Sequence, residues 1–242
     1  MKKVLNHSLT IILIFSLLIL MITFSIGLPI YFRPFYYLHI NGLKMVENTR
    51  WSYDVIKEAY DEVLDFLVLN KPFGTGQLRY SSEGQSHFED CKILFDLNFY
   101  CLLGSFIISV VIITLHKLKK IEIQKYFKFN PIFFSSIIAI LIPLVVGILA
   151  SIDFDRAFEV FHAIFFPGKD NWLFDPRIDQ IILVMPQEFF RNCAILIGSS
   201  LLIITITSIV VSIIRKRKLK SKENCWSAVV FLFFLWKRLH YL

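Results

Sequence analysis

The chain has 242 residues, 56% of them hydrophobic and 19% charged, with a mean hydropathy of +0.62. Soluble domains run nearer about 45–50% apolar and about 25% charged, which argues against a soluble globular enzyme and excludes a disordered chain. The net charge of +7 comes without a basic patch interleaved with polar or aromatic readers, so nucleic acid is not an expected partner.

A bilayer crossing needs about 20 apolar residues, and four segments meet that length. The first covers residues 9–28, after Lys2 and Lys3. Its apolar run is too long for a signal peptide, so it reads as an uncleaved span. A loop at 32–96 follows. In it, residues 33–40 read as a short strand before the Asn41-Gly42 turn. Residues 51–69 read as a helix, with Val55, Ile56, Tyr60, Val63, Leu64 and Leu67 at helical spacing, Ser52 as its cap and Asp54 near its positive end. Pro72, Gly74 and Gly76 break it, residues 77–80 read as a second short strand, and residues 86–97 as a helix running into the second span at 97–115.

A basic loop leads to the third span at 131–150. In the loop 151–192, Asp153 caps a helix over 154–166 on which Phe154, Phe158, Phe161 and Phe165 recur, a stripe expected to pack in a core or on lipid. Pro167-Gly168 ends it. The fourth span covers 193–214. Beyond the basic stretch 215–222, the apolar run 225–236 is too short to cross and is expected to lie in the interface.

Charge sets the expected orientation. The two ends and the loop 116–130 carry 15 basic residues against Glu122 and Glu223 alone, while loops 32–96 and 151–192 carry 11 basic and 17 acidic residues. The positive-inside rule places both termini in the cytoplasm and both larger loops outside. The expected architecture is thus a mainly α membrane protein. Four transmembrane helices in a 1–214 domain carry an extracellular cap made by the loops after spans 1 and 3, and a basic stretch with an interfacial tail occupies 215–242.

Two constellations carry candidate chemistry. Glu83, His87 and Asp90 are spaced i, i+4, i+7, and so are Asp155, Glu159 and His162. Each places carboxylates where they would orient an imidazole and raise its pKa, although such a pair also serves as a plain structural ion pair. His7, His116 and His240 fall on the basic side, and His39 has no acidic neighbour in sequence. The cysteines Cys91, Cys101, Cys193 and Cys225 form no Cys-x-x-Cys motif. No His-Glu-x-x-His or Gly-x-Ser-x-Gly is present, and Cys91 has Lys92 as its one basic neighbour. Acid–base chemistry by two imidazoles without a metal remains. The alternatives are a metal-dependent membrane hydrolase using His87, Asp90, His162 and a further carboxylate, and a non-enzymatic scaffold or receptor docking through its acidic loops.

Three stretches resemble a known family: Ser86-His87-Phe88-Glu89-Asp90-Cys91-Lys92-Ile93-Leu94-Phe95; Phe161-His162-Ala163-Ile164-Phe165-Phe166; and the run from Asn171-Trp172-Leu173-Phe174-Asp175-Pro176 through Asp179 to Met185-Pro186-Gln187-Glu188-Phe189-Phe190. The chain is similar over roughly residues 1–214 to the lipoprotein intramolecular transacylases of low-GC Gram-positive bacteria. It departs from them at Cys91, where a small aliphatic residue is expected, and in its apolar tail. The resemblance implies a bacterial cell-membrane enzyme without a cofactor, whose partners are diacylglyceryl lipoproteins and membrane lipid. It implies transfer of the sn-2 acyl chain from the glyceryl ester to the α-amine of the same lipidated cysteine, giving the lyso form, with His87 and His162 essential. Asp90, Glu159, Asp155 and Glu83 are the expected supporting carboxylates. Trp172, Arg177 and Asp175 are candidates for oxyanion or substrate contact.

Overall fold

The computed structural model describes the backbone of residues 2–239 and the side chains of residues 2–218. In chain order the helices are α1 (Lys2–Tyr31), α2 (Pro34–Gly42), α3 (Met45–Thr49), α4 (Tyr53–Leu69), α5 (Ser82–Lys117), α6 (Pro131–Ala139), α7 (Leu141–Ile152), α8 (Phe154–Phe165), α9 (Ile181–Val184) and α10 (Gln187–Leu239). Helices α1 and α5, the α6–α7 pair and α10 are long and apolar enough to cross a membrane. The side chains of the tail expected at the interface, residues 225–236, lie outside the described residues.

Helix α1 packs against α5, α6 and α10. Lipid offers helices little hydrophobic drive to associate, so small residues and interhelical hydrogen bonds do that work. Ser16 Oγ donates to the Ser105 carbonyl at 2.7 Å and lies 2.9 Å from Ser109 Oγ. Ser135 Oγ donates to the Ile14 carbonyl at 2.7 Å. Ile107, Val111, Val145, Ile148 and Ile203 are exposed, as a lipid-facing surface requires. The third span is broken because Pro143 has no N–H for the Ala139 carbonyl and its ring crowds that carbonyl; one helix stops at Ala139 and the next starts at Leu141.

At the basic end, the segment after α5 folds back on the start of α1. His7 Nδ1 lies 3.0 Å from the Tyr126 hydroxyl, and Thr10 Oγ1 accepts the Gln124 N–H at 3.0 Å. The opposite end carries the cap. Its core includes Tyr36, Ile40, Ile56, Tyr60, Val63 and Val184. Tyr36 stacks on Tyr60 with ring centroids 3.6 Å apart, and its hydroxyl donates to the Val184 carbonyl at 2.6 Å. Arg33 bridges Asp61 and Asp65, and Lys57 and the Tyr37 hydroxyl also reach Asp61.

Asp179 ties the two cap loops together, accepting the Ser81 N–H at 2.7 Å and the Ser81 hydroxyl at 2.9 Å. Arg79 and Gln180 add a reciprocal pair, Arg79 N–H to Gln180 Oε1 at 2.9 Å and Gln180 N–H to the Arg79 carbonyl at 3.0 Å. Gly84 leaves room for this joint, since a Cβ there would collide with Asp179 Oδ1.

The expected caps form: Ser52 accepts from Val55 N–H and Asp153 from Arg156 N–H. The two expected strands do not. Residues 34–40 lie within α2, with Arg33 at its N-cap, because Pro34 presets the helical φ and Tyr36 and Ile40, four apart, bury one face completely. Residues 77–80 follow a turn closed by the Thr75 hydroxyl on the Leu78 carbonyl at 2.7 Å. Among the described residues the only β pairing is an isolated bridge, Tyr126 with Phe129.

Candidate active site

Helices α5 and α8 each deliver one imidazole to the cap end. Ser81 caps α5 by accepting the Gly84 N–H at 2.9 Å, which puts His87 in the second turn. At 36 residues α5 far exceeds a bilayer crossing. The charged run Glu89, Asp90, Lys92 and Asp96 precedes its apolar part, so His87 and Cys91 sit above the crossing segment. Asp153 starts α8, and its periodicity brings Phe158 and His162 to the face turned toward α5. After Phe166, Gly168 turns the chain with φ +72°, and the loop returns Lys169, Asn171 and Trp172 to the histidines.

His87 and His162 are 7% and 6% exposed, with ring centroids 5.8 Å apart and planes inclined by 32°. Phe166 and Phe174 meet His87 edge-on at 5.0 and 5.5 Å. Trp172 stacks on His162 at 4.3 Å. The rings line an apolar cavity of ≈ 320 Å³ that runs from the cap down to Ile26 on α1 and Ile197 on α10, with Phe95 and Phe158 in its walls.

The partners of each ring fix much of its chemistry. His162 Nδ1 is 2.7 Å from the Phe158 carbonyl. A carbonyl only accepts, so Nδ1 carries the hydrogen and the neutral ring has its lone pair on Nε2. Burial lowers the pKa of His162 below the ordinary imidazole value. Burial also pushes His87 down, to about 4, helped by His162; Asp90 and Asn171 act in the opposite direction. Both imidazoles are therefore neutral at neutral pH. His87 Nε2 lies 3.4 Å from Cys91 Sγ, and burial pushes the Cys91 thiol up to about 12, so the sulfur keeps its proton.

The carboxylates expected to orient the imidazoles have other partners. Asp90 accepts from Lys169 Nζ and, at 3.0 Å, from Asn171 Nδ2, and reaches His87 through its field rather than through a hydrogen bond. Glu83 is exposed in the first turn of α5 and takes the Ser82 hydroxyl. Glu159 pairs with Arg156, and Asp155 accepts from Gln187 at 2.6 Å. Of the candidates for oxyanion contact, Arg177 and Asp175 pair with each other, with the guanidinium exposed. Trp172 is at the site, but its Nε1–H goes to the Lys169 carbonyl at 3.2 Å. Asn171, whose one signal is its place in the family-like run beside Trp172, and the Phe158 carbonyl, which has none, also touch the site. Among the described residues no group of three or more His, Cys, Asp or Glu is placed to hold a metal ion.

Comparison with known proteins bears on this geometry. No curated protein matches the chain. Among solved structures it is similar to the membrane-integral lipoprotein intramolecular transacylase Lit from Bacillus cereus, with TM-score 0.78 and 26% identity over 93% of this chain and 100% of that one. Two variants of that protein, in which a histidine is replaced by arginine or by alanine, also match. The TM-scores are 0.71 and 0.69 at 26% and 25% identity, covering 93% of this chain and 96% and 97% of theirs. The family model described as lipoprotein intramolecular transacylase Lit matches residues 11–190. The chain therefore belongs to the lipoprotein intramolecular transacylase family of multi-pass membrane acyltransferases.

Proposed function

We propose that this acyltransferase moves the sn-2 acyl chain of a diacylglyceryl-modified N-terminal cysteine to the α-amine of the same cysteine, by metal-free acid–base catalysis at His87 and His162. The observation that carries the reading is the pair of buried imidazoles, 5.8 Å apart, in the wall of an apolar cavity. The cap faces the outside of the cell, where a mature lipoprotein presents its amine and its ester at headgroup depth. The cavity takes the migrating chain and holds the ester carbonyl beside the rings.

The chemistry needs no activated donor, because an ester becoming an amide runs downhill. Donor and acceptor belong to one molecule, and holding them in reactive geometry is worth an effective molarity of up to about 10⁵–10⁸ M. The α-amine, with a pKa of about 8, is partly protonated at neutral pH. His87 accepts a proton from the nitrogen as it attacks the sn-2 carbonyl. The proton that His87 removes passes to the neutral His162, and the tetrahedral intermediate collapses by breaking the bond to the sn-2 oxygen, which takes that proton from the His162 imidazolium, so both rings end neutral as they began. Its depressed pKa makes that imidazolium a stronger acid toward the departing alkoxide.

The test is mass spectrometry of a lipoprotein N-terminal peptide from a host that makes the diacyl form. Expression of this chain should convert the free-amine diacyl peptide to an N-acyl peptide with one acyl chain left on glycerol. His87→Ala and His162→Ala, present in the membrane at equal amounts, should each abolish the conversion. An unchanged diacyl peptide with the wild-type chain in the membrane would overturn the reading.

A further inference from the structure

We propose that Asn171, held by Asp90, is a positioning residue that fixes His87 in its Nδ1–H tautomer and leaves Nε2 as the basic nitrogen. The role of the base rests on the function proposed above; the tautomer does not.

Asp90 fixes the orientation of the Asn171 amide. Its carboxylate only accepts, so the atom of the Asn171 side chain 3.0 Å away must be the amide nitrogen. The amide orientation is thereby set by chemistry: Nδ2 faces Asp90 and Oδ1 faces away from it. Lys169 Nζ takes the other carboxylate oxygen, which holds Asp90 in place and balances its charge. Asn171 Oδ1 is buried without a hydrogen-bond partner, and so is His87 Nδ1. Buried polar atoms without partners are rare, and each carries a full desolvation cost. Asn171 lies near enough to His87 for its amide to favour the charged ring. An amide oxygen can serve His87 Nδ1 only if that nitrogen carries a hydrogen.

The opposite edge of the ring accommodates this tautomer. Cys91 keeps its proton, and its sulfur is 3.4 Å from Nε2. A thiol is a donor to an unprotonated Nε2, though a weak one. A weak bond of this kind is readily exchanged for the N–H of an incoming amine. The charged and titratable groups acting on His87 are His162, Asp90 and Lys169, and Asp90 and Lys169 act through their fields in opposite directions. His162 is held in the same tautomer by the Phe158 carbonyl. Both rings then offer Nε2 to the substrate.

The experiment is long-range ¹H–¹⁵N correlation on the full chain labelled at histidine, which distinguishes Nδ1–H from Nε2–H, together with the rate of acyl transfer. The wild-type protein should show His87 and His162 both as Nδ1–H. Asn171→Leu should move His87 toward Nε2–H or a mixture, leave His162 unchanged as an internal control of folding, and lower kcat by about 10²-fold with KM little changed. Asn171→Asp keeps an acceptor at this position, so it should keep the Nδ1–H signature while raising the pKa of His87. A wild-type His87 found as Nε2–H would overturn the proposal, as would an Asn171→Leu protein that loses activity with its tautomer unchanged. The spectra are read without substrate, so absence of acyl transfer would defeat the proposed function and leave the tautomer result standing.

Discussion

At the residue scale, the site works by taking two imidazoles out of water without giving either a carboxylate of its own. Burial makes the neutral ring the resting form of both His87 and His162. Above the depressed pKa values both rings are unprotonated, and in the reaction proposed above the amine of the lipoprotein is then the group that titrates near physiological pH. The transfer rate should rise with pH up to about 8, the pKa of an α-amine, with no separate step at the ordinary imidazole position. A pH–rate profile under single-turnover conditions checks this, and a step near the ordinary imidazole value would contradict it. Trp172 has a different part. It stacks on His162 at 4.3 Å while its own N–H is tied to the Lys169 carbonyl. Trp172→Phe should preserve most of the activity, whereas Trp172→Ala should lower kcat roughly tenfold by releasing the ring, a loss of about 1.4 kcal/mol in the range of an aromatic pair.

Elements matter here as devices for bringing distant residues to one place. The joint of Ser81, Gly84 and Asp179 seats the start of α5 against the loop before α9, and so sets the height of His87 in the cap. Gly84→Ala would force apart a buried aspartate pinned by the Ser81 amide and hydroxyl. It should cost about 1–3 kcal/mol, the usual range for overpacking, read as a lowered thermal midpoint in detergent. The helical caps at Ser52 and Asp153 are legible in the sequence because a cap is a local bargain between a side chain and an amide three residues on. Helix α2 is not legible, because Phe35, Tyr36 and Tyr37 carry strand preference and the burial of Tyr36 against Tyr60 overrides it. The two histidines stand out by their repeated acid spacing, yet the spacing misleads about partners. Asp90 lies on the face of His87 as expected, and residues some eighty positions away claim its oxygens. Helical spacing shows which residues are neighbours on one helix, not which neighbour a side chain prefers once a second element arrives. For that reason the part Asn171 plays beside Asp90 is not legible in the sequence, although the residue stands in the family-like run.

For the whole molecule, four spans and one cap divide the labour. The spans are bound by serine hydroxyls and packed apolar faces around α1, and the cap by an aromatic core. The spans are legible from hydropathy alone, because length and apolarity suffice to define a crossing. The charge asymmetry predicts which end faces outward. A cysteine placed at Glu58 on the cap, in a background without the native cysteines, should react with a membrane-impermeant thiol reagent in intact cells. One at Lys119, at the basic end, should react only after the cells are opened. The reverse pattern would invert the orientation and put the cavity on the wrong side for a mature lipoprotein.

The proposed reaction moves a chain within one molecule, from ester to amine, between two imidazoles. The most direct measurement uses purified protein and an equimolar mixture of two diacyl lipopeptides of different mass, one carrying deuterated acyl chains. Mass spectrometry should find every N-acylated product with its own label, and none when His87 or His162 is alanine. Crossed products, or free fatty acid in place of N-acyl peptide, would contradict the account.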